Sequence, residues 1–287
     1  MNKKIIMAMV LGGLLLFGAF GAAAMTANEI LDEMEDLFSV DAGNVQGVLT
    51  TMSLFNDYSG GVNSEYTLAM FELTTFDTAM PEDADETTHV LMYFVGGDED
   101  GSIFLMETPE DDTLDSRMWL YLPALGLTKE LVSEDDQAGS FAGSSLSYSD
   151  LGGTGDLQDD YDAVILREET LDVGGEMFDV WVLELTAKPN ADADHTRVLL
   201  SVSKADYLSL RMESYNKSGA MENTMEFQAL GEFEEDPIPE IIYSTDVAEE
   251  TSSTISISGT RRPDAPLTLD LFDPNNLGEL DPAAYGF

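Results

Sequence analysis

One short motif in the sequence has the residue types of a nucleophilic enzyme. Ser201-Val202-Ser203-Lys204 matches S-x-x-K, in which the serine attacks a carbonyl carbon and the lysine assists in removing its proton. That chemistry needs the serine at the start of a helix, whereas here it ends a strand-like run. The companion motifs S-D-N and K-T-G do not occur in the sequence. We therefore interpret the match as a chance one and predict no catalytic residue.

A second stretch imitates a calcium-binding loop. Asn190, Asp192 and Asp194 have the spacing of the first ligands of an EF-hand. His195 stands where that loop requires glycine, and Ser201 stands where it requires a bidentate glutamate. A loosely held surface cation stays open as an alternative, but the sequence predicts no dedicated metal site and no cofactor.

Two histidines and many carboxylates are the remaining candidates for acid–base chemistry. His89 and His195 are far apart in the sequence, and neither falls in an H-x-x-x-H or H-E-x-x-H pattern. We expect them to be strand-face or turn residues. The chain has 56 Asp and Glu residues, so some pairs must lie close by chance and cannot argue for a glycosidase. The absence of cysteine excludes thiolate metal sites and cysteine nucleophiles.

The charge balance of the chain is strongly acidic, with 12 Lys and Arg against 56 Asp and Glu and a formal net charge of −44. Such a chain repels nucleic-acid phosphates and anionic headgroups, which argues against a nucleic-acid partner. Hydrophobic residues make up 44% of the sequence, enough for a core. We interpret the acidity as adaptation to concentrated salt, where the Debye length is about 3 Å at 1 M, with cation binding as the alternative. Thermal unfolding across a salt series tests this hypothesis, because undiminished stability in dilute buffer contradicts it.

The first residues have the pattern of an export signal. Two lysines at the start are followed by a short apolar stretch and then by Ala22-Ala23-Ala24, an A-x-A-type cleavage site. We predict that residues 1–24 are a signal peptide cleaved near Ala24, rather than a membrane anchor. Residues 25–287 then form a single domain, since neither a linker nor a repeat interrupts them.

After the leader, the sequence predicts one helix and then a long antiparallel sheet. Thr26 and Glu29 form a capping box that opens an amphipathic helix over residues 27–38. Thereafter the hydrophobic period is two, and Gly, Asn, Asp or Pro separates the runs. One such separator, Val173-Gly174-Gly175-Glu176, is a hairpin signal. The predicted strands are 45–55, 62–76, 88–95, 102–107, 117–122, 163–172, 177–187, 196–203, 207–215 and 221–230.

Two central segments are unusual for such a sheet. Arg117–Gly126 has large apolar side chains on both strand faces, typical either of a strand buried on both sides or of one that lines an apolar cavity. Residues 136–162 are rich in Gly and Ser and are long for a connection, which is typical of a functional lid or a mobile segment.

These two segments resemble the LolA-like family of outer-membrane lipoprotein-sorting proteins. In that family a W-L-Y-L-P-A-L-G strand precedes an S-F-x-G-S-D-x-S-Y-x-D-L loop. Trp119–Gly126 fits the strand throughout, and Ser140–Leu151 fits the loop with Ser145 in place of the usual Asp. The stretch after the strand is usually basic in the family, whereas here Lys129 stands among apolar and acidic residues, which weakens the case for anionic headgroup contacts.

The resemblance implies a mainly β (α+β) fold: a strongly curved antiparallel sheet, forming an unclosed half-barrel with helices that cover its concave face. It also implies a periplasmic carrier that holds lipid or lipoprotein acyl chains in a hydrophobic cleft and moves them toward the outer membrane. Partners would be membrane sorting proteins, and the carrier a monomer. We predict Trp119, Tyr121, Phe141 and Tyr148 as ligand-binding residues of the cleft wall or lid. A non-transporting envelope sensor or partner-binding module is the alternative, and an envelope-lipid hydrolase is the third.

Overall fold

The computed structural model describes most of the chain after residue 24. The described residues are 25–36, 47–59, 61, 63–76, 86–109, 114, 116–152, 157–189, 191, 193, 195–233 and 236–287. The predicted signal peptide, the last two residues of the predicted helix (Leu37 and Phe38) and three residues of the calcium-like loop (Asn190, Asp192 and Asp194) lie outside the described residues.

The chain opens with helix α1 (Ala27–Asp36). The Thr26 hydroxyl accepts a hydrogen bond from the Glu29 amide at 3.2 Å, and the Thr26 amide donates to Glu29 Oε2 at 2.7 Å. These reciprocal bonds satisfy amides that the first helical turn leaves free, so the predicted capping box is confirmed. The side chains of Ile30 and Leu31 are fully buried on one face.

Thirteen strands of the described residues form a single sheet. The strands are β1 (Val48–Tyr58), β2 (Ser64–Phe76), β3 (Glu86–Val95), β4 (Ile103–Pro109), β5 (Arg117–Leu122), β6 (Leu127–Glu130), β7 (Tyr161–Val173), β8 (Glu176–Ala187), β9 (Arg197–Ser203), β10 (Ser209–Tyr215), β11 (Met221–Phe233), β12 (Asp236–Asp246) and β13 (Thr251–Arg261). Two short helices, α2 (Glu134–Gln137) and α3 (Leu157–Asp160), lie between β6 and β7.

The sheet is antiparallel throughout and runs in the order β6-β5-β4-β3-β2-β1-β13-β12-β11-β10-β9-β8-β7. Two meanders therefore meet where the first and last strands pair. Within the described residues no pairing joins β6 to β7, so the predicted unclosed antiparallel sheet is confirmed. That helices cover a concave face of it stays a prediction.

Ten predicted strands are present, and three more were not predicted. β6 has only four residues. β12 contains Pro237 and Pro239, and β13 is rich in Ser and Thr, so neither stood out as a hydrophobic run. The predicted hairpin between β7 and β8 is confirmed, because Val173 pairs with Glu176. Both glycines between them have positive φ, 62° and 90°, as a type I′ turn requires.

Each face of the sheet is partly covered by an irregular segment. We call residues 131–152 the covering loop and residues 262–287 the C-terminal tail, and we name the two faces after them. The loop face buries an apolar cluster from β1 to β5, β11 and β13: Met52, Leu54, Leu68, Val90, Met92, Phe94, Phe104, Met106, Met118, Met225 and Ile255. The tail face buries a second cluster: Leu49, Ala69, Phe71, Leu73, Leu91, Ile103, Leu105 and Trp119.

Helix α1 packs at the far end of the loop face. Its apolar stripe contacts Leu183, Leu185, Val198, Leu200 and Val202 of β8 and β9. Met212 contacts this cluster and also the cluster beneath the covering loop. Among the described residues, no helix is long and apolar enough to cross a membrane.

Candidate functional site

The covering loop is anchored on the sheet by aromatic packing. The side chain of Phe141 is 2% exposed and lies between β3 and β4, with ring centroids 5.4 Å from Phe94 and 5.8 Å from Phe104. Tyr148 packs against Phe104 at 5.3 Å and against Phe141 at 5.8 Å. Burial, followed by the nearby carboxylate of Glu99, raises the pKa of Tyr148, so its hydroxyl stays protonated.

The backbone of the loop folds back on itself between these two aromatic residues. The Phe141 amide donates to the Leu146 carbonyl at 2.8 Å, and the Tyr148 amide donates to the Gly139 carbonyl at 3.1 Å. Gly143 has a φ of 72°, and a Cβ there would come within 2.5 Å of the Tyr58 hydroxyl. Small residues in this stretch therefore permit both the turn and the close approach to β1.

A row of polar side chains on the sheet receives the backbone of the loop. Asn56 is fully buried; it donates to the Ala142 carbonyl at 3.1 Å and accepts from Ser253 at 2.8 Å. The Ser253 hydroxyl also accepts from the Ser145 amide at 2.9 Å, and Asn223 donates to the Ser145 carbonyl at 3.1 Å. We call Asn56, Asn223 and Ser253 the polar row. Because buried peptide groups need partners, this row fixes where the loop lies.

Partly buried apolar side chains continue across the loop face on β2 and on β10 to β13. They contact the buried cluster beneath the loop without being enclosed by it. The register places Ile242 of β12 beside Phe227 of β11 and beside the buried Ile255 of β13, so these side chains adjoin one another on the loop face. We call this set the open strip; its members are Met70, Met212, Phe227, Ile242 and Ile257.

The structure separates the four predicted ligand-binding residues into two pairs. Phe141 and Tyr148 lie together on the loop face, next to the polar row. Trp119 and Tyr121 lie on the tail face, because β5 directs its odd-numbered residues there, whereas Met118 and Leu120 face the loop. Their role in ligand binding stays a prediction.

The tail-face pair is packed as part of a core. Trp119 is 4% exposed, and the guanidinium of Arg117 lies 4.6 Å from its ring centroid. Arg117 also donates to Glu130 at 2.9 Å, which holds it in place across β5 and β6. Tyr121 is partly buried against Gly278 of the tail. Met118 and Trp119 are thus buried on opposite faces of the strand, as the first interpretation predicts, and an apolar ligand cavity beside it stays a prediction.

The open strip was not predicted from the sequence. Phe227 lies in a predicted strand, but β12 and β13, which supply Ile242 and Ile257, were not recognised. Their signal is the alternation of Ile255 and Ile257 with serines, together with Ile241-Ile242-Tyr243, which indicates a strand with one apolar face.

The serine–lysine motif does not assemble into a dyad. The register places Ser201 between Val182 and Arg211 on the tail face. The Lys204 ammonium instead contacts Glu168 at 2.6 Å and lies 5.6 Å from the ring of Trp181, which belongs to the α1 cluster on the loop face. The two groups therefore point to opposite sides of the sheet.

The two histidines also lie apart. His89 is buried on the tail face, with Nε2 3.1 Å from the Thr75 hydroxyl and the ring 5.5 Å from that of Phe272. His195 precedes β9, and its Nδ1 lies 3.3 Å from Glu222. No group of three or more potential metal ligands occurs among the described residues.

A cavity of about 310 Å³ lies within the C-terminal tail. Its lining includes Asp270, Glu279 and Asp281 beside Leu271 and Tyr285. Carboxylates around its wall suit an acyl chain poorly, because apolar ligands bind in mostly apolar surroundings. The open strip is therefore the better candidate for an apolar ligand.

Comparison with solved structures identifies the fold. A DUF1329 family protein from Desulfovibrio piger aligns with a TM-score of 0.73 at 22% identity, covering 88% of this chain and 98% of that one. A domain named as a candidate outer membrane lipoprotein-sorting protein from Vibrio parahaemolyticus aligns with a TM-score of 0.70 at 23% identity, covering 87% and 97%. A LolA superfamily protein from Nitrosomonas europaea aligns with a TM-score of 0.60 at 17% identity, covering 87% and 98%.

At the level of sequence, no curated protein matches the chain. A family model described as that of an uncharacterized protein matches residues 86–279, which is more than half of the chain and includes both the aromatic strand and the covering loop. The chain therefore belongs to the family of uncharacterized proteins that this model describes, and its fold is LolA-like, as the resemblance of the two central segments predicted.

Proposed function

We propose that this protein is a periplasmic carrier that binds the acyl chains of lipids or lipoproteins and moves them toward the outer membrane. The open strip is the observation that carries the proposal. It offers apolar side chains on the loop face that pack against one buried cluster and are partly accessible rather than enclosed in a core. Solved structures with this fold include one named for lipoprotein sorting, which supports the same role.

The dimensions of the strip suit an acyl chain. From β2 to β10 it crosses six neighbouring strands, and five strand spacings amount to about 24 Å. One leaflet of a bilayer contributes about 15 Å of hydrocarbon, so a chain of ordinary length fits along the strip. Each methylene that leaves water contributes about 0.8 kcal/mol. Met70 and Met212 at its two ends can adapt to chains of different shape.

The remaining parts of the proposal follow from the sequence. Cleavage of residues 1–24 near Ala24 would export residues 25–287 as a single domain. Inner- and outer-membrane sorting proteins would deliver and accept the cargo, and the carrier would act as a monomer without a cofactor. The acidic surface fits a protein that meets membranes through its cargo and partners rather than through anionic headgroups.

A partner-binding module is the second candidate. β7 forms one end of the sheet, and its side chains Val164 and Leu166 are 54% and 43% exposed. Exposed edge strands accept an added strand from a partner chain. A transfer assay separates the two functions: a carrier moves labelled lipid from donor to acceptor vesicles, whereas a sensor or partner-binding module does not. A hydrolase has no comparable support, since Ser201 and Lys204 lie on opposite faces.

The test of lipid binding compares two neighbouring residues of β12. Ile242 belongs to the open strip, whereas Tyr243 lies on the tail face and is 38% exposed. We expect native mass spectrometry to find lipid bound to the wild-type protein. Ile242→Glu should weaken binding at least tenfold, because it places an unpaired charge against the acyl chain. Tyr243→Glu is the matched control and should bind like the wild type. A wild-type protein that neither co-purifies with lipid nor takes it up from vesicles contradicts the proposal.

A further inference from the structure

A single acidic side chain lies at one end of the open strip. Glu72 is two residues beyond Met70 on β2 and therefore points to the same face. The register pairs Glu72 with Val48 on β1 and with Val90 on β3. Beyond Val90 the same row continues through Met106 and Met118, both buried. The cross-strand neighbours of this carboxylate are thus apolar on both sides.

No cation of the described residues compensates this charge. Burial is the sole cause that raises the pKa of Glu72, and neither a positive charge nor a hydrogen bond lowers it. The basic side chains near this end of the sheet are engaged elsewhere. Arg117 pairs with Glu130, Lys129 pairs with Asp136, and Arg262 donates to the Gly47 carbonyl at 3.0 Å.

An unpaired, partly buried carboxylate is costly for the folded protein. Removing a charge from water without a partner destabilises the native state, and the ordinary solution is a counter-ion or a hydrogen-bond donor. In a protein of −44 formal charge, a further acid on the surface would be unremarkable, but this one lies on an apolar face. Perturbed ionisable groups of this kind concentrate at binding sites, where the ligand supplies the missing partner.

We propose that Glu72 binds the ammonium group of an amphiphile whose hydrocarbon chain lies along the open strip. Because Glu72 lies at the end of the strip, one ligand can place its ammonium group on the carboxylate and its hydrocarbon chain along the strip. An anionic head group is repelled by the same carboxylate, and a neutral one gains only a hydrogen bond. The inference rests on the proposed function and names the cargo class: amphiphiles with a primary amine, from either an aminophospholipid or a simpler alkylamine.

The test uses single-chain probes that differ only in the head group. Binding of hexadecylamine, hexadecanol and hexadecyl sulfate is measured below their aggregation concentrations by isothermal titration calorimetry. We expect the wild-type protein to prefer the amine over the alcohol by tenfold or more, and to bind the sulfate most weakly. Glu72→Gln keeps the shape of the side chain and should abolish the preference while leaving the affinity for hexadecanol unchanged.

A matched control lies on the same strand. Glu65 is exposed and points to the opposite face, so Glu65→Gln makes the same change in net charge and should retain the wild-type preference. Thermal unfolding checks that Glu72→Gln folds, and we expect it to be at least as stable as the wild type at neutral pH. Binding to vesicles of phosphatidylethanolamine is then compared with binding to vesicles of phosphatidylglycerol. A preference for phosphatidylethanolamine indicates an aminophospholipid as the source of the amine, and no preference indicates a simpler alkylamine.

The outcomes separate this inference from the proposed function. If no hexadecyl probe binds to the wild-type protein, acyl-chain binding itself fails. If all three probes bind with equal affinity, or if Glu72→Gln keeps the preference for the amine, the strip still binds chains but Glu72 does not select the head group. Loss of hexadecanol binding in Glu72→Gln would mean that the residue is structural, which also overturns the inference.

Discussion

The covering loop and the C-terminal tail both lie across the sheet, but they are held in different ways. The tail inserts four large apolar side chains, Leu267, Leu271, Phe272 and Leu277, into the core of the tail face. It adds an edge-to-face contact between Tyr285 and Phe71 at 5.5 Å. The loop buries Leu131 where it leaves β6 and has two further deeply buried anchors, Phe141 and Leu146, with Tyr148 packed against Phe141. Hydrogen bonds with the polar row fix the rest of its placement.

This difference assigns different roles to the two segments. Exposing a large apolar side chain costs about 1.5–3 kcal/mol, so lifting the tail would expose several such groups at once. A hydrogen bond contributes only about 0.5–1.5 kcal/mol net, because water replaces the lost partner once the groups are exposed. We therefore infer that the tail is a permanent part of the core, and that the loop is the cover that can be released. The open strip lies on the same face as the loop.

The largest expected effect is in the tail. Phe272 is 1% exposed and contacts the ring of His89, and Phe272→Ala leaves a cavity in the tail-face core. We expect a loss of about 3–5 kcal/mol in the free energy of unfolding, measured by urea denaturation. Leu269→Ala, in the same segment but 55% exposed, is the control and should change stability by no more than about 0.5 kcal/mol.

Lipid binding by Phe272→Ala tests whether the tail has a structural role alone. If the tail is only a structural cover, Phe272→Ala should bind lipid normally at temperatures where it remains folded. A variant that is folded but no longer binds lipid would contradict the assignment of lipid binding to the loop face and of a structural role to the tail face.

The second effect is in the polar row. Asn56→Ala removes a fully buried amide group that donates to the Ala142 carbonyl and to the Ser64 hydroxyl and accepts from the Ser253 hydroxyl, so all three lose a partner. We expect a loss of about 1–3 kcal/mol in the free energy of unfolding. Hydrogen exchange at the Ser144, Leu146 and Tyr148 amides should accelerate more than exchange in the tail.

Its control is the next residue along β1. Asp57 is exposed and points to the other face, so Asp57→Ala should leave exchange in the loop unchanged. Equal acceleration in the loop and the tail after Asn56→Ala would show that the two segments unfold together, contrary to the inference that only one of them is releasable.

Much of this architecture could be predicted from local patterns. The capping box at Thr26 and Glu29 and the paired glycines before Glu176 depend on neighbouring residues alone, and both are confirmed. β13 escaped prediction because Ser and Thr replace the usual β-branched hydrophobics on one face. β12 was not predicted because its two prolines are typical of a break between strands. Pairing partners, which are distant in sequence, decide that these segments are strands.

The site was harder to predict for a related reason. Periodicity shows that alternate residues of Arg117–Leu122 face opposite sides, but not which side meets the loop. The prediction places Trp119 and Tyr121 together with Phe141 and Tyr148 in one cleft wall or lid, whereas the structure gives each pair its own face. The polar row depends on Asn56, Asn223 and Ser253, which are brought together only by the pairing of β1 with β13, of β13 with β12 and of β12 with β11.

The smallest expected effect concerns two partly exposed aspartates, Asp136 near the start of the loop and Asp273 in the tail. A hydrogen bond from Lys129, at 2.6 Å, and one from Ser133 lower the pKa of Asp136. Hydrogen bonds from the backbone and side-chain amides of Asn275 lower the pKa of Asp273. A carboxyl whose folded pKa is lowered stabilises the native state fully above its ordinary pKa of 3.8 and loses that contribution as the pH falls through the folded value. Both segments should therefore loosen locally in acid.

Added salt should weaken the interactions of Asp136 more than those of Asp273. The Lys129–Asp136 pair is a surface ion pair, so concentrated salt screens it. Asp273 accepts hydrogen bonds from the amides of Asn275 in its own turn. Because these amides carry no charge, salt weakens the two bonds less. We expect protection of the Gln137 amide at neutral pH to fall with added salt and to become insensitive to salt in Asp136→Asn. Protection of the Asn275 amide should change little with salt. If added salt lowered the protection of the Asn275 amide as much as that of the Gln137 amide, the two aspartates would not hold the loop and the tail in different ways.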